Sequence, residues 1–409
     1  MDRKPALRRS ISLPMLVLYG LGTTIGAGIY ALTGEVVAEA GPFAPLAFLL
    51  AAVLAGFTAL SFAELSARFP QAAGEALYVT RGLGMPRLGT LVGVLVVAAA
   101  CVSSATIIHG FSGYLQTFAQ LPAVVVILGL TALLAACAAW GISQSVFIAS
   151  LITLAELGGL LLILWVARGD LATFPAQWQG TPGIVEPQTL RGIAGAALLA
   201  FYAFLGFEDM VNVAEEVREP ERNLPRAILI TLGITSIVYV LVAMAAVTVV
   251  DPAEMGNNDA PLTLLYERAG GYRPEVISGI ALLAIVNGAL IQMIMASRVL
   301  YGLARRGALP AILGNVHPRR RTPTVATAVV AGLVGTLALT FALERLAAIT
   351  STITLGVFTL VNLALWRLKR QAPASEGIWQ APAWVPVAGF VVSLGFVSYG
   401  VARLAGIAG

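Results

Sequence analysis

Long apolar runs follow one another along this chain with little between them, at about residues 11–39, 43–67, 88–119, 122–140, 143–167, 190–216, 225–250, 275–304, 323–343, 346–367 and 383–406. A helix crosses the hydrocarbon of a bilayer in about 20 apolar residues. Only helices or closed barrels can satisfy their backbone groups there. No run alternates polar and apolar positions, which excludes a β-barrel. The runs therefore predict an all-α polytopic membrane protein of eleven transmembrane helices. Composition agrees, with 58% hydrophobic and 11% charged residues, against roughly 45–50% and 25% in soluble domains. A soluble enzyme, a disordered chain and a nucleic-acid binder are excluded. The two cysteines, Cys101 and Cys137, lie inside apolar runs and imply neither a disulfide framework nor a metal site. The opening MDRKPALRRS resembles the charged flank of a signal peptide. The apolar stretch after it is too long, and a second follows without a cleavage site, so the first span is retained.

Basic residues set the orientation. Eighteen lie in one set of connections: Arg3, Lys4, Arg8, Arg9, Arg68, Arg81, Arg87, Arg218, Arg222, Arg226, Arg305, Arg306, Arg319, Arg320, Arg321, Arg367, Lys369 and Arg370. Six lie in the other, at Arg168, Arg191, Arg268, Arg273, Arg345 and Arg403, while Arg298 falls inside the eighth span. The N-terminus is expected in the cytoplasm and, after eleven crossings, the C-terminus outside. The span spacing repeats. Residues 1–10 form a cytoplasmic segment, 11–167 a first five-span repeat, 190–370 a second, and 383–406 an additional helix. Five is odd, so the second copy must lie inverted on the first, as in inverted-repeat secondary transporters.

Two spans carry breaks at matching places. The first contains GLGTTIGAGIY, with Gly20, Gly22, Gly26 and Gly28. A mid-helix glycine costs about 1 kcal/mol against alanine, and four favour unwinding, although small residues also serve close helix packing. The sixth contains FYAFLGFEDM, with Gly206 before Glu208 and Asp209. Paired breaks mark a central binding site. Half-helix ends attract a carboxylate and unwound carbonyls accept from an ammonium group, which suits an α-amino acid.

These residues resemble the amino acid–polyamine–organocation superfamily, and most closely its cationic amino acid transporter branch. The resemblance is carried by GTTIGAGIYALTGEVVAEAGP (22–42), FAELSARFPQAAGEALYV (62–79), SSATIIHGFSGYL (103–115), FYAFLGFEDMVNVAEEVREPERNLPRAI (201–228) and SRVLYGLARRGALPAILGNVHPRRRTPTVAT (297–327), in order over about 350 residues. It implies a five-plus-five inverted-repeat core of the LeuT type and amino acid transport by alternating access, where members commonly have twelve or fourteen spans. It also implies that Gly22, Thr23, Thr24, Ile25, Gly26 and Ala27 bind the substrate carboxylate. The carbonyls of Ala203, Phe204 and Leu205 would take the amino group, and Tyr202 would stand at the gating position. Ser103, Asn287, Thr354 and Glu208 complete the expected pocket.

Ionisable groups inside the membrane cost on the order of 3 kcal/mol each and need an account. Glu208 is either a functional carboxylate or a helix-start charge. Asp209, about 100° away on a continuing helix, is read as structural. Glu156, in ITLAELGGLL of the fifth span, sits where several proton-coupled relatives have lysine. A carboxylate out of water there could bind and release a proton, or simply bond a neighbouring helix. His109 is a relay or a packing residue. Glu64, Glu215, Glu216 and Arg298, near cytoplasmic helix ends, are expected to form a gate or anchor network or simply to snorkel, and Glu35 and Glu39 to be solvated. Between Ser278 and Ser297 the eighth span has no Ser or Thr, which disfavours the hydroxyl-ligated sodium site of sodium-driven relatives. The expectation is a plasma-membrane amino acid permease, proton-coupled or exchanging, whose partners are amino acid, lipid bilayer and protons, with no cofactor, metal or nucleic acid. A polyamine or organic amine transporter and a sodium-coupled amino acid symporter are the alternatives. No nucleophile motif, metal-ligand spacing or phosphate loop favours an enzyme.

Overall fold

The structure, a computed structural model, describes residues 9–71, 74–140, 146–179, 186–305, 307–318, 320, 322–372 and 377–406; the side chains of residues 27, 146–149 and 179 also fall outside the description. The expected turn at Gly141 and Ile142, and Arg3, Lys4, Arg8, Arg306, Arg319 and Arg321, lie outside the described residues.

Each apolar run falls on helix: α1 Leu13–Ala40, α2 Ala44–Arg68, α3 Pro86–Gln116, α4 Ala123–Trp140, α5 Val146–Val166, α6 Pro187–Phe204, α7 Pro220–Val249, α8 Glu275–Arg305, α9 Thr324–Thr340, α10 Leu343–Gln371 and α11 Val385–Leu404. By length and composition eight helical stretches qualify to cross a membrane, and Leu13–Gly26, Ser150–Val166 and Thr324–Thr340 are shorter apolar helices. Proline stands in the first turn of α1, α2, α3, α6, α7 and α11, where its missing N–H costs no hydrogen bond. Among the described residues the only β pairing is a bridge between Ile11 and Val217.

Helix α1 packs on α6, α2 on α7, α3 on α8 and α4 on α9. Further contacts come in exchanged pairs: α1 on α7 with α2 on α6, α1 on α5 with α6 on α10, and α3 on α10 with α8 on α5. In the most apolar window of α10, and in that of α6 with the segment after it, 72% of residues are buried; the figure is 33% for α4 and 28% for α11. The first two are central, and the last two face outward.

Candidate functional site

Of the four glycines in the GLGTTIGAGIY stretch of α1, only Gly26 leaves helical geometry, at φ −18° and ψ −142°. The other three serve close packing. A methyl group on Gly20 would strike Met210, one on Gly22 would strike the Thr153 hydroxyl of α5, and one on Gly28 would fall 2.7 Å from Ala203 Cα of α6. The expectation of a broadly unwound stretch is thus corrected: tight contacts hold the helix on both sides of one broken residue.

The second break is wider. Helix α6 ends at Phe204, Leu205 is extended, and Gly206 takes φ 122° before a 3₁₀ segment, Phe207–Glu216. Glycine is required here, both by the positive φ and because a methyl group would run into the Thr23–Thr24 peptide. The two breaks are stitched together. Thr23 Oγ1 donates to Gly206 O at 2.9 Å, and the Tyr239 hydroxyl of α7 lies 2.8 Å from Thr24 O and 3.0 Å from Ala203 O. Tyr239 is a residue that sequence reasoning missed. It already engages the Ala203 carbonyl that the resemblance assigned to the substrate's amino group.

Two adjoining cavities lie beside the breaks. The first is lined by Thr23, Thr24, Gly26, Gly28, Ser103, Ile107, Tyr202, Leu205, Asp209, Gly288, Ile291 and Gln292. The second shares Ser103, Leu205, Asp209 and Gln292 with it and adds Glu75, Glu208, Asn212, Thr350, Thr354 and Phe358 among others. Tyr202 OH is fixed by Ser103, 2.9 Å from its hydroxyl and 3.1 Å from its carbonyl. The Thr24 hydroxyl is buried and has no partner among the described residues.

Thr23, Thr24, Gly26, Ser103, Tyr202, Leu205, Glu208 and Thr354 therefore line the cavities. Gly22, Ile25, Phe204 and Asn287 line neither. Gly22 abuts α5, Ile25 is fully buried, and Phe204 packs its ring edge-on to Tyr239 at 5.1 Å. The Ala203 side chain backs onto Gly28, and the Ala27 side chain is outside the description. Asp209, expected to point away, lines both cavities, because the backbone after Gly206 is 3₁₀. At about three residues per turn, Asp209 and Asn212 share a face. Glu208 instead accepts the Gly206 N–H at 2.8 Å, within the break itself.

Glu156 is fully buried on α5, and neither carboxylate oxygen has a hydrogen-bond partner among the described residues. Tyr30 of α1 donates to its backbone carbonyl at 2.7 Å. Asn287 of α8 faces its carboxylate without reaching hydrogen-bond geometry. His109 on α3 is half-buried and lines neither cavity. Glu64 is buried at the far end of α2, held by Arg68 at 2.6 Å and Lys369 of α10 at 2.6 Å. Glu39 is not free in solvent but pairs with Arg403 of α11 at 2.7 Å.

A family described as "Amino acid permease" matches residues 11–404. The chain is similar to the branched-chain amino acid permease BcaP of Bacillus subtilis (strain 168), 28% identical over 93% of this chain and 85% of that protein. It is similar to the mitochondrial cationic amino acid transporter 3 of Arabidopsis thaliana, 29% identical over 90% of this chain but 64% of the longer plant protein. An uncharacterized transporter of Mycobacterium tuberculosis (strain ATCC 25618 / H37Rv) is 35% identical over 83% of this chain and 76% of its own length.

Proposed function

This chain belongs to the amino acid permease family, multi-pass membrane transporters rather than enzymes, and on that premise we propose that it carries amino acids across the plasma membrane by alternating access. The observation that carries this reading is the juxtaposition of the two helix breaks against one cavity. The substrate's α-carboxylate docks where α1 restarts after Gly26, since first-turn N–H groups lack helical partners. Its ammonium group lies near Tyr202 and Leu205, with the unpartnered Thr24 hydroxyl in reach. Acidic amino acids are rejected, because the cavities present Glu75, Glu208 and Asp209 and no basic residue among those that line them.

Residues 11–167 and 190–370 act as two inverted five-helix repeats, with 383–406 outside them. The exchanged helix contacts support this, because a two-fold relation converts α1 on α7 into α6 on α2. Eleven crossings follow from the eleven apolar runs, and the cytoplasmic N-terminus and external C-terminus from the eighteen-to-six distribution of basic residues over that odd number.

Coupling is assigned to protons at Glu156. An ionised carboxylate without a hydrogen-bond partner is very costly in an apolar interior, and the Glu156 carboxylate is buried without one where α5 meets α1 and α8. The fold has two uses for such a site: symport driven by a pH gradient, or obligate exchange. The deciding experiment is counterflow in proteoliposomes loaded with unlabelled amino acids. Labelled amino acid should enter against an outward gradient of its unlabelled counterpart and saturate. Linear, non-saturating flux would indicate a channel, and no flux of any amino acid or polyamine would defeat the reading.

A further inference from the structure

The two cavities meet at a neck formed by Ser103, Leu205, Asp209 and Gln292. Ser103 is engaged with Tyr202, and Leu205 is apolar. Of the four, Asp209 and Gln292 carry the polar side chains not already engaged. Asp209 is 6% exposed, and among the described residues no hydrogen bond or ion pair holds its carboxylate. Glu208 differs, with a carboxylate oxygen that accepts the Gly206 N–H at 2.8 Å and so serves the break. Glu75 lies further along, in the second cavity only, on the helix Gly74–Leu83. Independently of these acids, the buried Thr24 hydroxyl in the first cavity has no partner, which places the substrate's polar head on that side of the neck.

Resting on the amino acid reading, we infer that Asp209, rather than Glu208, is the specificity-determining residue, and that the preferred substrate is an amino acid whose side chain ends in an ammonium or guanidinium group. With its head at the α1 break, such a substrate directs its side chain through the neck into the second cavity. Asp209 meets the side chain there, Gln292 lines the same passage with an amide oxygen that can accept, and Glu75 extends the acidic wall beyond. A buried carboxylate without a partner is costly in the unloaded site, and a cationic side chain satisfies it. A neutral aliphatic side chain leaves it unsatisfied, and an anionic one repels it.

The test is competition for binding to purified protein by L-lysine, L-arginine, L-leucine and L-glutamate. The wild type should take lysine or arginine in preference to leucine and should refuse glutamate. Asp209→Asn should weaken the cationic ligands by roughly ten- to hundredfold, the worth of a charged hydrogen bond, with leucine little changed. Glu208→Gln should weaken all ligands in parallel. A cationic preference that survives Asp209→Asn, or is lost selectively in Glu208→Gln, overturns the assignment. If Asp209→Asn does not fold, Gln292→Lys places a cation in the same neck as Asp209 and should produce the same selective loss, and retention of the preference there is equally fatal. A wild type that prefers leucine refutes the inference while leaving amino acid transport intact. A wild type that binds none of the four refutes the transport reading itself.

Discussion

At the scale of single residues, the two break glycines differ in what surrounds them. No atom lies within 4 Å of where a side chain at Gly26 would begin, whereas one at Gly206 would collide with the Thr23–Thr24 peptide and would occupy φ 122°. Gly26→Leu should therefore fold, reach the membrane and lose substrate binding, because its side chain fills the cavity. Gly206→Ala should instead lose thermal stability, by roughly 1–3 kcal/mol from backbone strain alone. Unchanged affinity in the first variant, or unchanged melting in the second, would show that the breaks have been misread. Glu75 supplies a pH dependence. Burial pushes its carboxyl from the ordinary 4.5 up to about 7. Between those values the folded protein holds a proton that the unfolded chain has released, so stability is greatest below 4.5 and declines as pH rises towards 7. Glu75→Gln should flatten that decline in a series of melting curves, and an unaltered slope would assign it to other groups.

At the scale of elements, charges at the helix ends hold α10 and α11 against the core. Glu64 of α2, fully buried, accepts from Arg68 Nε at 3.0 Å, pairs with Lys369 of α10, and accepts the Ala381 N–H at 2.9 Å in the connection to α11. Across the membrane, Arg403 of α11 joins Glu39 of α1 and Glu344 of α10. Within a few turns of the Glu64 end, Asn362 of α10 bonds Ser61 and Thr58 of α2 at 2.6 and 2.9 Å. Removing one partner of a buried ion pair costs about 3–5 kcal/mol, while exposed pairs are worth under about 1 kcal/mol. Glu64→Gln should accordingly lower the melting temperature far more than Glu344→Gln, whose partner Arg403 keeps Glu39. Comparable losses in the two variants would mean that Glu64 is not the anchor of this end.

For the whole molecule, alternating access requires that α1 and α6 change their packing against the rest, and Glu156 lies where α5 meets α1 and α8. A group whose protonation favours one packing over the other couples proton and substrate through that difference. Glu156→Gln fixes the neutral form. It should still bind amino acid and exchange it in counterflow, yet lose accumulation driven by an inward proton gradient in proteoliposomes. Accumulation that persists undiminished, or that needs sodium, would move coupling elsewhere, with Glu208 and His109 the next groups to test.

The sequence alone determined the helical membrane class, the positions of the helices, the two sites at which helices break and the presence of acids beside the second break. These follow from local chemistry: hydropathy over about 20 residues, glycine's conformational freedom and the rarity of charge in hydrocarbon. Tertiary structure decided which glycine breaks α1 and which three pack it, because that depends on Met210, Thr153 and Ala203, each distant in the chain. It also turned Asp209 into the cavity, by a 3₁₀ rotation that no helical wheel anticipates. Asn287 it set facing Glu156 rather than lining either cavity, and Glu75 it carried from a short connecting helix to the cavity wall. Tyr239 could not be found from its own neighbourhood, since its hydroxyl matters only where the carbonyls of two different broken helices converge on it.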